Sequence, residues 1–312
     1  MKNPGMAIGM ALVTLLAVAV PAFAQNEGRG QAVVTVLPKH DGELPPSVAE
    51  QDFAVKVNGK KARVTDWKPF KAPGDKIEFV ILIDGSARSS LGRQITEIAA
   101  FVRGLPPNIK AGIAYMENGR AVFAAPLSAD HESVLANLHL SGGSFGTSAS
   151  PYFCLTDLAK NWPSRDPSAR REVLMITNGV DPYQVQYDSG DPYMQAATKD
   201  AARAGLVVYA IYWETQGRID RGAGDNNAGQ NLLAEVAQAT GGKSFYQGSG
   251  NPVSFEGYFE ELLRRFKNQY ELGFMVPMNG KAEVEDLKLK LHAPGTEIST
   301  PQQVLVVPGA AK

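Results

Sequence analysis

A chain of 312 residues, 44% of them hydrophobic, is long enough for one α/β domain with further segments attached. Its 31 Lys+Arg against 32 Asp+Glu leave a formal net charge of −1, which argues against a nucleic-acid or anionic-membrane partner. The single cysteine, Cys154, excludes an intramolecular disulfide, and we expect it to be a small buried hydrophobe on a helix.

The first 24 residues have the pattern of a secretory signal peptide. Lys2 precedes an apolar run from Met10 to Val20, and an Ala-x-Ala end places cleavage after Ala24. The alternative is a permanent membrane anchor, but the run is shorter than the roughly 20 residues that a span needs. The pattern therefore predicts an exported protein, periplasmic or secreted.

Residues 25–74 are expected to form an N-terminal β segment. Short strands are predicted over Ala32–Leu37, Phe53–Val57 and Ala62–Val64. Asn58-Gly59 between the last two strands is a strong hairpin signal.

Residues 75–268 alternate between strands and helices. The apolar strand that ends at Asp84 lacks polar alternation, which is typical of a central parallel strand covered on both faces. Asn118-Gly119 indicates an edge hairpin. Strands separated by helices predict an α/β fold with a doubly wound, mostly parallel sheet. The other predicted strands and helices are Val173–Thr177, Leu206–Tyr212, Ser244–Tyr246, Leu91–Leu105, Tyr152–Trp162, a helix around Leu232–Ala237, and Phe255–Phe266.

Residues 269–312 return to a strand pattern. Leu287, Leu289 and Leu291 alternate with lysines, and Val304–Val307 is a short apolar run. Because domain termini commonly lie close together, we expect this C-terminal β segment to pair with the N-terminal one in a small β module.

In its central part the sequence resembles the von Willebrand factor A (VWA) family. The likeness rests on Asp84-Gly85-Ser86 after a buried strand, the edge hairpin, Gly146-Thr147 before a helix, and Ile176-Thr177-Asn178-Gly179 after a later strand. The flanks are similar to the exported bacterial VWFA-related subgroup. Its motifs are matched by Asp52-Phe53-Ala54-Val55, Gly59-Lys60 and the segment Asn268–Phe274. The resemblance implies a VWA-like domain over residues 75–268.

The resemblance also implies a metal-ion-dependent adhesion site. Asp84, Ser86 and Thr147 match three positions of the family's divalent-cation motif, and Mg²⁺ prefers such oxygen ligands. However, Arg88 and Asn178 stand where the motif has a serine and an aspartate. An arginine beside the seat of a cation opposes binding, so we expect a degenerate site, with Ser89 or Asp181 as substitute ligands if Mg²⁺ or another divalent cation binds.

A metal-independent recognition surface is the other interpretation of this loop pole. Arg88 would supply the positive charge and could pair bidentately with a partner's carboxylate. The alternative is a solvent-facing Arg88 without a role, with Ser86 and Thr147 as helix N-caps. Aromatic loops at Pro182-Tyr183, Tyr187 and Pro192-Tyr193 add possible contacts. The predicted partner-binding set is Ser86, Arg88, Ser89, Thr147, Asn178, Asp181 and Tyr183.

An enzyme is not expected. Ser86 is not in a Gly-x-Ser-x-Gly motif, and no histidine lies in a motif that would place it beside Ser86. Gly142–Gly146 and Gly222–Asn227 are interpreted as polar loops. The prediction is an exported module that binds a protein partner through its loop pole. The alternatives are a structural or assembly protein with a vestigial site, and a divalent-cation-dependent adhesion module.

Overall fold

Two β-sheets with helices make up the part of the chain that the computed structural model describes, which is residues 27–40, 48–70, 74–85, 91–139, 150–183, 188–214, 222–248, 250–278, 280–291 and 293–309. The signal peptide predicted at residues 1–24 lies outside these ranges. None of the helices in them combines the length and the apolar character needed to cross a bilayer.

The strands are β1 (Glu27–Pro38), β2 (Phe53–Val57), β3 (Lys60–Lys61), β4 (Arg63–Pro69), β5 (Lys76–Asp84), β6 (Ile109–Glu117), β7 (Arg120–Ser128), β8 (Ala169–Thr177), β9 (Leu206–Tyr212), β10 (Ser244–Phe245), β11 (Gln269–Pro277), β12 (Glu283–Leu291), β13 (Thr296–Ser299) and β14 (Gln303–Pro308). The helices are α1 (Gly92–Arg103), α2 (His131–Leu135), α3 (Pro151–Lys160), α4 (Pro192–Ala204), α5 (Gly222–Ala239) and α6 (Glu256–Lys267), with a 3₁₀ turn at Glu50–Asp52.

The central sheet has six strands in the described residues, in the order β10-β9-β8-β5-β6-β7. All neighbouring pairs are parallel except β6 and β7, which form the predicted antiparallel edge hairpin. Every residue of β9 is buried, and so is every residue of β5 after Lys76. Burial on both sides explains why these strands are continuous apolar runs.

Helices cover both faces of this sheet. Phe79 of β5 lies on one face, where its ring makes edge contacts with Phe101 of α1 at 6.0 Å and with Phe266 of α6 at 5.5 Å. On the opposite face Val80 and Leu82 pack with side chains of α3, α4 and α5. Successive side chains of β5 therefore pack into two separate hydrophobic cores, one on each face of the sheet. The fold is of the mixed α/β class.

The strand order reverses at β5. β6 lies on one side of β5 and β8 on the other. In open α/β sheets, such a reversal leaves a crevice between the carboxyl ends of the two adjacent strands. The two strands end at Asp84 in β5 and at Thr177 in β8. The candidate site therefore lies beside these two residues.

Two segments interpreted as loops from the sequence are helical. Gly222–Asn227 forms the start of α5, and Pro192-Tyr193 forms the first turn of α4. The α4 start is explained by Asp191, whose side chain caps the helix ahead of Pro192. For α5 the weak helix propensities of Gly and Asn predict a loop, but tertiary packing overrides propensity. The α4 interpretation was wrong because the Asp191 cap was overlooked, and the α5 interpretation was wrong because local propensity did not decide the structure.

The strands at the two ends of the chain pair with each other in one antiparallel sheet. Its order is β3-β2-β12-β14-β1-β11-β4, with β13 also paired to β1, so N-terminal and C-terminal strands interleave. β1 begins at Glu27, five residues before the predicted strand, because these residues pair with β11 and β14. The predicted β module is therefore present, and neither end could form it alone.

This sheet curls around its own core. β3 and β4 are separated only by Ala62, yet β3 pairs with β2 at one edge and β4 pairs with β11 at the other. Inside, Trp67 of β4 stacks on Tyr270 of β11 with ring centroids 4.7 Å apart. The two edge strands, β3 and β4, are therefore neighbours in the chain, and the sheet curls so that its edges approach each other. This reduces the length of unpaired strand edge, which in open sheets promotes aggregation.

A buried arginine joins the central sheet to the β module. Arg170 of β8 donates to the carbonyl oxygen of Phe266 at 3.1 Å and to the side-chain oxygen of Gln269, the first residue of β11. Its guanidinium carbon lies 4.3 Å from the centre of the Phe70 ring. These contacts hold the amino end of β8 against the strand that enters the module.

Glu172 lies in the same junction and is fully buried. Burial raises the pKa of its carboxyl from an ordinary value of 4.5 to about 8, although the neighbouring Arg170 guanidinium and, to a lesser extent, Gln269 and Tyr209 oppose the shift. Burial in the junction therefore favours the protonated form of the Glu172 carboxyl.

We expect Gly119→Ala to lower the free energy of unfolding by about 1 kcal/mol, because Gly119 has φ of +77°, a region that side chains with a Cβ disfavour. Chemical denaturation at one pH measures the change. Gly119→Asn is the matched control, since asparagine tolerates this region and should recover most of the loss. Equal stability of all three proteins would contradict the role of this turn.

Candidate functional site

The candidate site lies at the carboxyl ends of β5 and β8. Asp84 ends β5 and is 5% exposed. Its Oδ2 accepts a hydrogen bond from the hydroxyl of Thr177 at 2.7 Å. The Thr177 hydroxyl in turn accepts from the backbone N–H of Gly179 at 3.3 Å. Thr177 was not among the predicted site residues, although it directly precedes Asn178 in the Ile-Thr-Asn-Gly motif.

The segment after β8 folds back on itself through Asn178 and Asp181. The Asn178 side-chain oxygen accepts from the N–H of Val180 at 3.0 Å. Asp181 is fully buried and accepts from the hydroxyl of Ser150 at 3.0 Å and from the N–H of Tyr183 at 2.8 Å. Asp181 thus fastens this segment to the start of α3, and in this conformation its carboxylate is not on the surface.

Two further buried groups support the same loops. The phenol of Tyr152 in α3 donates to the carbonyl oxygen of Gly179 at 2.7 Å. Asp191 accepts from the N–H groups of Tyr193 and Met194, both at 2.8 Å. Neither Tyr152 nor Asp191 was predicted as a site residue, although Asp191-Pro192 is a recognisable helix-start signal.

The pKa of the Tyr152 phenol is shifted by its surroundings. Burial raises its pKa well above the usual value of 10, and the carboxylates of Asp191, Asp181 and Glu235 raise it further. The carboxyl groups of Asp191, Asp181 and Glu235 therefore lie near this phenol.

Three aromatic rings form a surface beside these carboxylates, and we call Phe153, Tyr183 and Tyr193 the aromatic triad. The ring centroids are 4.8 Å apart for Phe153 and Tyr193, 5.6 Å for Phe153 and Tyr183, and 6.0 Å for the two tyrosines. Tyr183 is 63% exposed and Tyr193 is 39% exposed. The rings thus contact one another from three different segments while two of them face solvent.

The predicted site residues fall into two groups. Asp84, Asn178, Asp181 and Tyr183 are described, and the last three follow β8 within six residues of one another. Ser86, Arg88, Ser89 and Thr147 lie outside the described residues, as does Tyr187.

The side-chain oxygen atoms described at this site are not arranged as ligands of a divalent cation. One Asp84 oxygen is engaged by Thr177, and the Asn178 oxygen is turned to the N–H of Val180. In the described ranges, no three side chains from His, Cys, Asp and Glu converge as metal ligands would.

Cys154 lies below the site on α3 and is fully buried, as predicted. Burial, with smaller contributions from Asp84 and Asp157, raises the pKa of its thiol to about 12. Because the thiolate is the reactive species, we expect a thiol-specific reagent to leave native Cys154 unmodified at pH 8. It should label the protein stoichiometrically in denaturant, as measured by mass spectrometry, and rapid labelling of the native protein would contradict this placement.

Two cavities in the described residues lie away from this pole. The larger, about 530 Å³, is beside β10 and α6, where Glu261 pairs with Lys243 at 3.2 Å and with Arg264 at 2.6 Å. The smaller, about 310 Å³, lies between β7 and α3. In the larger cavity the charged groups neutralise each other.

No protein-family model matches the chain, and no curated protein matches it either. Solved structures similar to it include BatB from Bacteroides thetaiotaomicron, at 15% identity over 61% of this chain and 96% of that chain, with a TM-score of 0.46. The SpRpn10 VWA domain matches at 12% identity over 57% of this chain and 87% of that chain, with a TM-score of 0.38.

A third similar structure is proximal thread matrix protein 1 from the mussel byssus, described with a zinc-occupied adhesion motif. It is 17% identical over 62% of this chain and 47% of that chain, with a TM-score of 0.40. At such identities and TM-scores these likenesses carry no argument about what this chain binds.

The order and direction of the strands in the central sheet define its topology. Counted from β5, the strand order is 3-2-1-4-5-6 with the third strand antiparallel at the edge, and Asp84 and the Ile176–Gly179 segment meet at the carboxyl ends. This arrangement agrees with the von Willebrand factor A-like fold expected from the sequence.

Proposed function

We propose that this chain is an exported, non-enzymatic module that binds a protein partner through the loop pole at the carboxyl ends of β5 and β8. The observation that carries the proposal is the aromatic triad, because two tyrosines are exposed at the place where α/β sheets bind ligands. Tyrosine is enriched among the residues that dominate binding energy at interfaces. Asp181 and Asp191 contribute by holding the segments that carry Tyr183 and Tyr193.

The rigidity of the support favours recognition. Tyr183 is fixed through its own N–H to a buried carboxylate, and Tyr193 lies on the first turn of a capped helix. Side chains that are ordered before binding lose less conformational entropy when a partner arrives. The pairing of the chain ends with each other weighs against assembly by strand exchange with a neighbour, since these strands already have partners.

Site-specific photo-crosslinking tests the proposed surface. A photoreactive phenylalanine analogue at position 183 should trap a partner from the exported proteins of the native host. The same analogue at Tyr246, which is 54% exposed at the end of β10, is the matched control. A product at 183 that Tyr193→Ala abolishes supports the proposal, whereas equal products at both positions, or none at 183, would refute it.

The proposed recognition does not depend on a metal, since Arg88 and Asn178 replace two family ligands and the described donors are engaged internally. We expect no heat and no melting shift when millimolar Mg²⁺, Ca²⁺ or Mn²⁺ is added to chelator-treated protein. Heat with a raised melting temperature would instead favour a cation-dependent adhesion module.

Export is proposed from the pattern of residues 1–24. Mass spectrometry of protein from the native host should find a mature chain that begins at Gln25. Recovery of an intact Met1 terminus from the membrane fraction would favour an anchor.

A further inference from the structure

The chemistry of the aromatic triad indicates what kind of partner group it accepts. Building on the proposed function, we propose that the triad receives a cationic side chain, arginine or lysine, from the protein partner. The ligand is an organic cation held by ring faces and nearby carboxylates, with no role for metal coordination.

The rings are suited to a cation. The quadrupole of an aromatic ring makes its face electrostatically negative. A guanidinium or ammonium group within about 6 Å of the ring centroid is attracted to that face. Tyr183 and Tyr193 offer the exposed rings, and Phe153 packs against both. A partner side chain that covers Tyr183 would therefore lie close to more than one ring.

The charge of the supporting segment has the matching sign. Its described parts, 178–183 and 188–193, contain Asp181, Asp188 and Asp191 and no lysine, arginine or histidine. Asp188 is exposed, and among the described residues neither Asp188 nor Asp191 has a cationic side chain within 4.0 Å.

Asp191 adds a second, independent observation. It is fully buried two residues before Tyr193, whose N–H donates to its Oδ1. Its other oxygen, Oδ2, is also buried and has no hydrogen-bond partner in the described part of the chain. A buried carboxylate that is only half satisfied favours a positive charge placed nearby.

An acidic partner group is disfavoured at this position. A carboxylate over the triad would meet the negative ring faces and the aspartates of the adjoining segment, and like charges brought together across an interface are costly. The surface therefore discriminates between partner groups by charge.

Fluorescence anisotropy with defined peptides tests the inference. The probes are a labelled Gly-Ser peptide that carries two arginines and its analogues with lysine, glutamine or glutamate at the same positions. We expect the arginine peptide to bind, the lysine peptide to bind more weakly, and the glutamine and glutamate peptides not to bind. Affinity should fall as ionic strength rises to the physiological value.

Matched variants assign the binding to the triad. The double variant Tyr183→Leu/Tyr193→Leu should weaken the arginine peptide about tenfold, because leucine keeps an apolar side chain but has no ring face. Asp188→Asn should weaken it about twofold, and Tyr246→Leu should leave it unchanged. Melting curves check that each variant is folded. Equal binding of arginine and glutamate peptides, or equal loss in Tyr246→Leu, would overturn the inference.

The outcome separates the two proposals. If crosslinking at position 183 traps a partner but the arginine peptide neither binds nor competes with that partner, protein recognition stands and the cationic group is refuted. If the arginine peptide binds through the triad but no partner is trapped, the cation site stands and the proposed function fails.

Discussion

Gly229→Ala is expected to lower the free energy of unfolding by about 2 to 3 kcal/mol. A Cβ at Gly229 would lie 2.0 Å from the carbonyl oxygen of Asn178, far inside van der Waals contact. The obstacle is backbone, so no rotation of a side chain can relieve it. Gly179 meets the same constraint from the other side, because its φ is +68° and its own Cβ would lie 2.5 Å from the Gly229 carbonyl oxygen.

This contact links stability to the proposed site. Gly229 lies in α5, whereas Asn178 and Gly179 begin the segment that carries Tyr183. A displaced Asn178 would move the backbone that Tyr152 and Thr177 hold. We therefore expect Gly229→Ala to reduce both the melting temperature and the partner crosslinking at position 183.

The matched control is Gly257→Ala in α6, where an added Cβ has nothing within 4 Å. Alanine is the better helix former, so this variant should be as stable as the parent protein or more stable by up to about 1 kcal/mol. Urea denaturation of both variants measures the difference. If Gly229→Ala were as stable as Gly257→Ala, the close approach of α5 to the β8 segment would be disproved.

The second large effect is a dependence of stability on pH that arises from Glu172. Burial raises the pKa of this carboxyl to about 8 in the folded protein, whereas its ordinary value is 4.5. Between these values the folded state keeps the proton and the unfolded state releases it. The contribution of the Glu172 proton to the free energy of unfolding is therefore fully present below about pH 4.5. It is lost as pH rises to about 8, a change of up to about 5 kcal/mol.

Glu172→Gln isolates this contribution, because glutamine has nearly the same shape and cannot ionise. The variant should be more stable than the parent at pH 8 and should show a flatter dependence on pH. Glu297→Gln, at an exposed position of β13, is the control and should follow the parent curve. The measurement is the free energy of unfolding in urea at several pH values from 4.5 to 8.5. Parallel curves for the parent and Glu172→Gln would show that the proton is not retained.

The strongly patterned elements of the fold were predictable from the sequence. The apolar runs that end at Asp84, Thr177 and Tyr212 are buried strands, and both Asn-Gly pairs are hairpin turns with positive φ. These signals are local, since burial on both faces requires an apolar run and a tight hairpin requires residues that tolerate positive φ. The expected pairing of the chain ends is also confirmed.

The remainder depended on contacts that are distant in sequence. The first turn of α4 and the start of α5 were predicted as loops, because the capping role of Asp191 was overlooked and Gly and Asn have weak helix propensity. β13 was missed because only its pairing with β1 defines it. The polar residues Arg170 and Glu172 at the start of β8 gave no sign that they would be buried.

The candidate site divides in the same way. The sequence pointed to Asp84, Asn178, Asp181 and Tyr183, because strand ends in α/β sheets gather side chains at one edge. It could not show that Asp181 is a buried fastening for the loop, or that Phe153 and Tyr193 complete a surface with Tyr183. Those facts depend on how α3, α4 and the β8 segment pack together.

What the sequence by itself determined is the class of fold and the end of the sheet at which a site would lie, because periodicity and turn chemistry act over a few residues. Only the tertiary structure decided which side chains reach solvent there and which become buried supports. The physical reason is that exposure, hydrogen-bond partners and local charge depend on segments that are far apart in the chain and meet only in the folded protein.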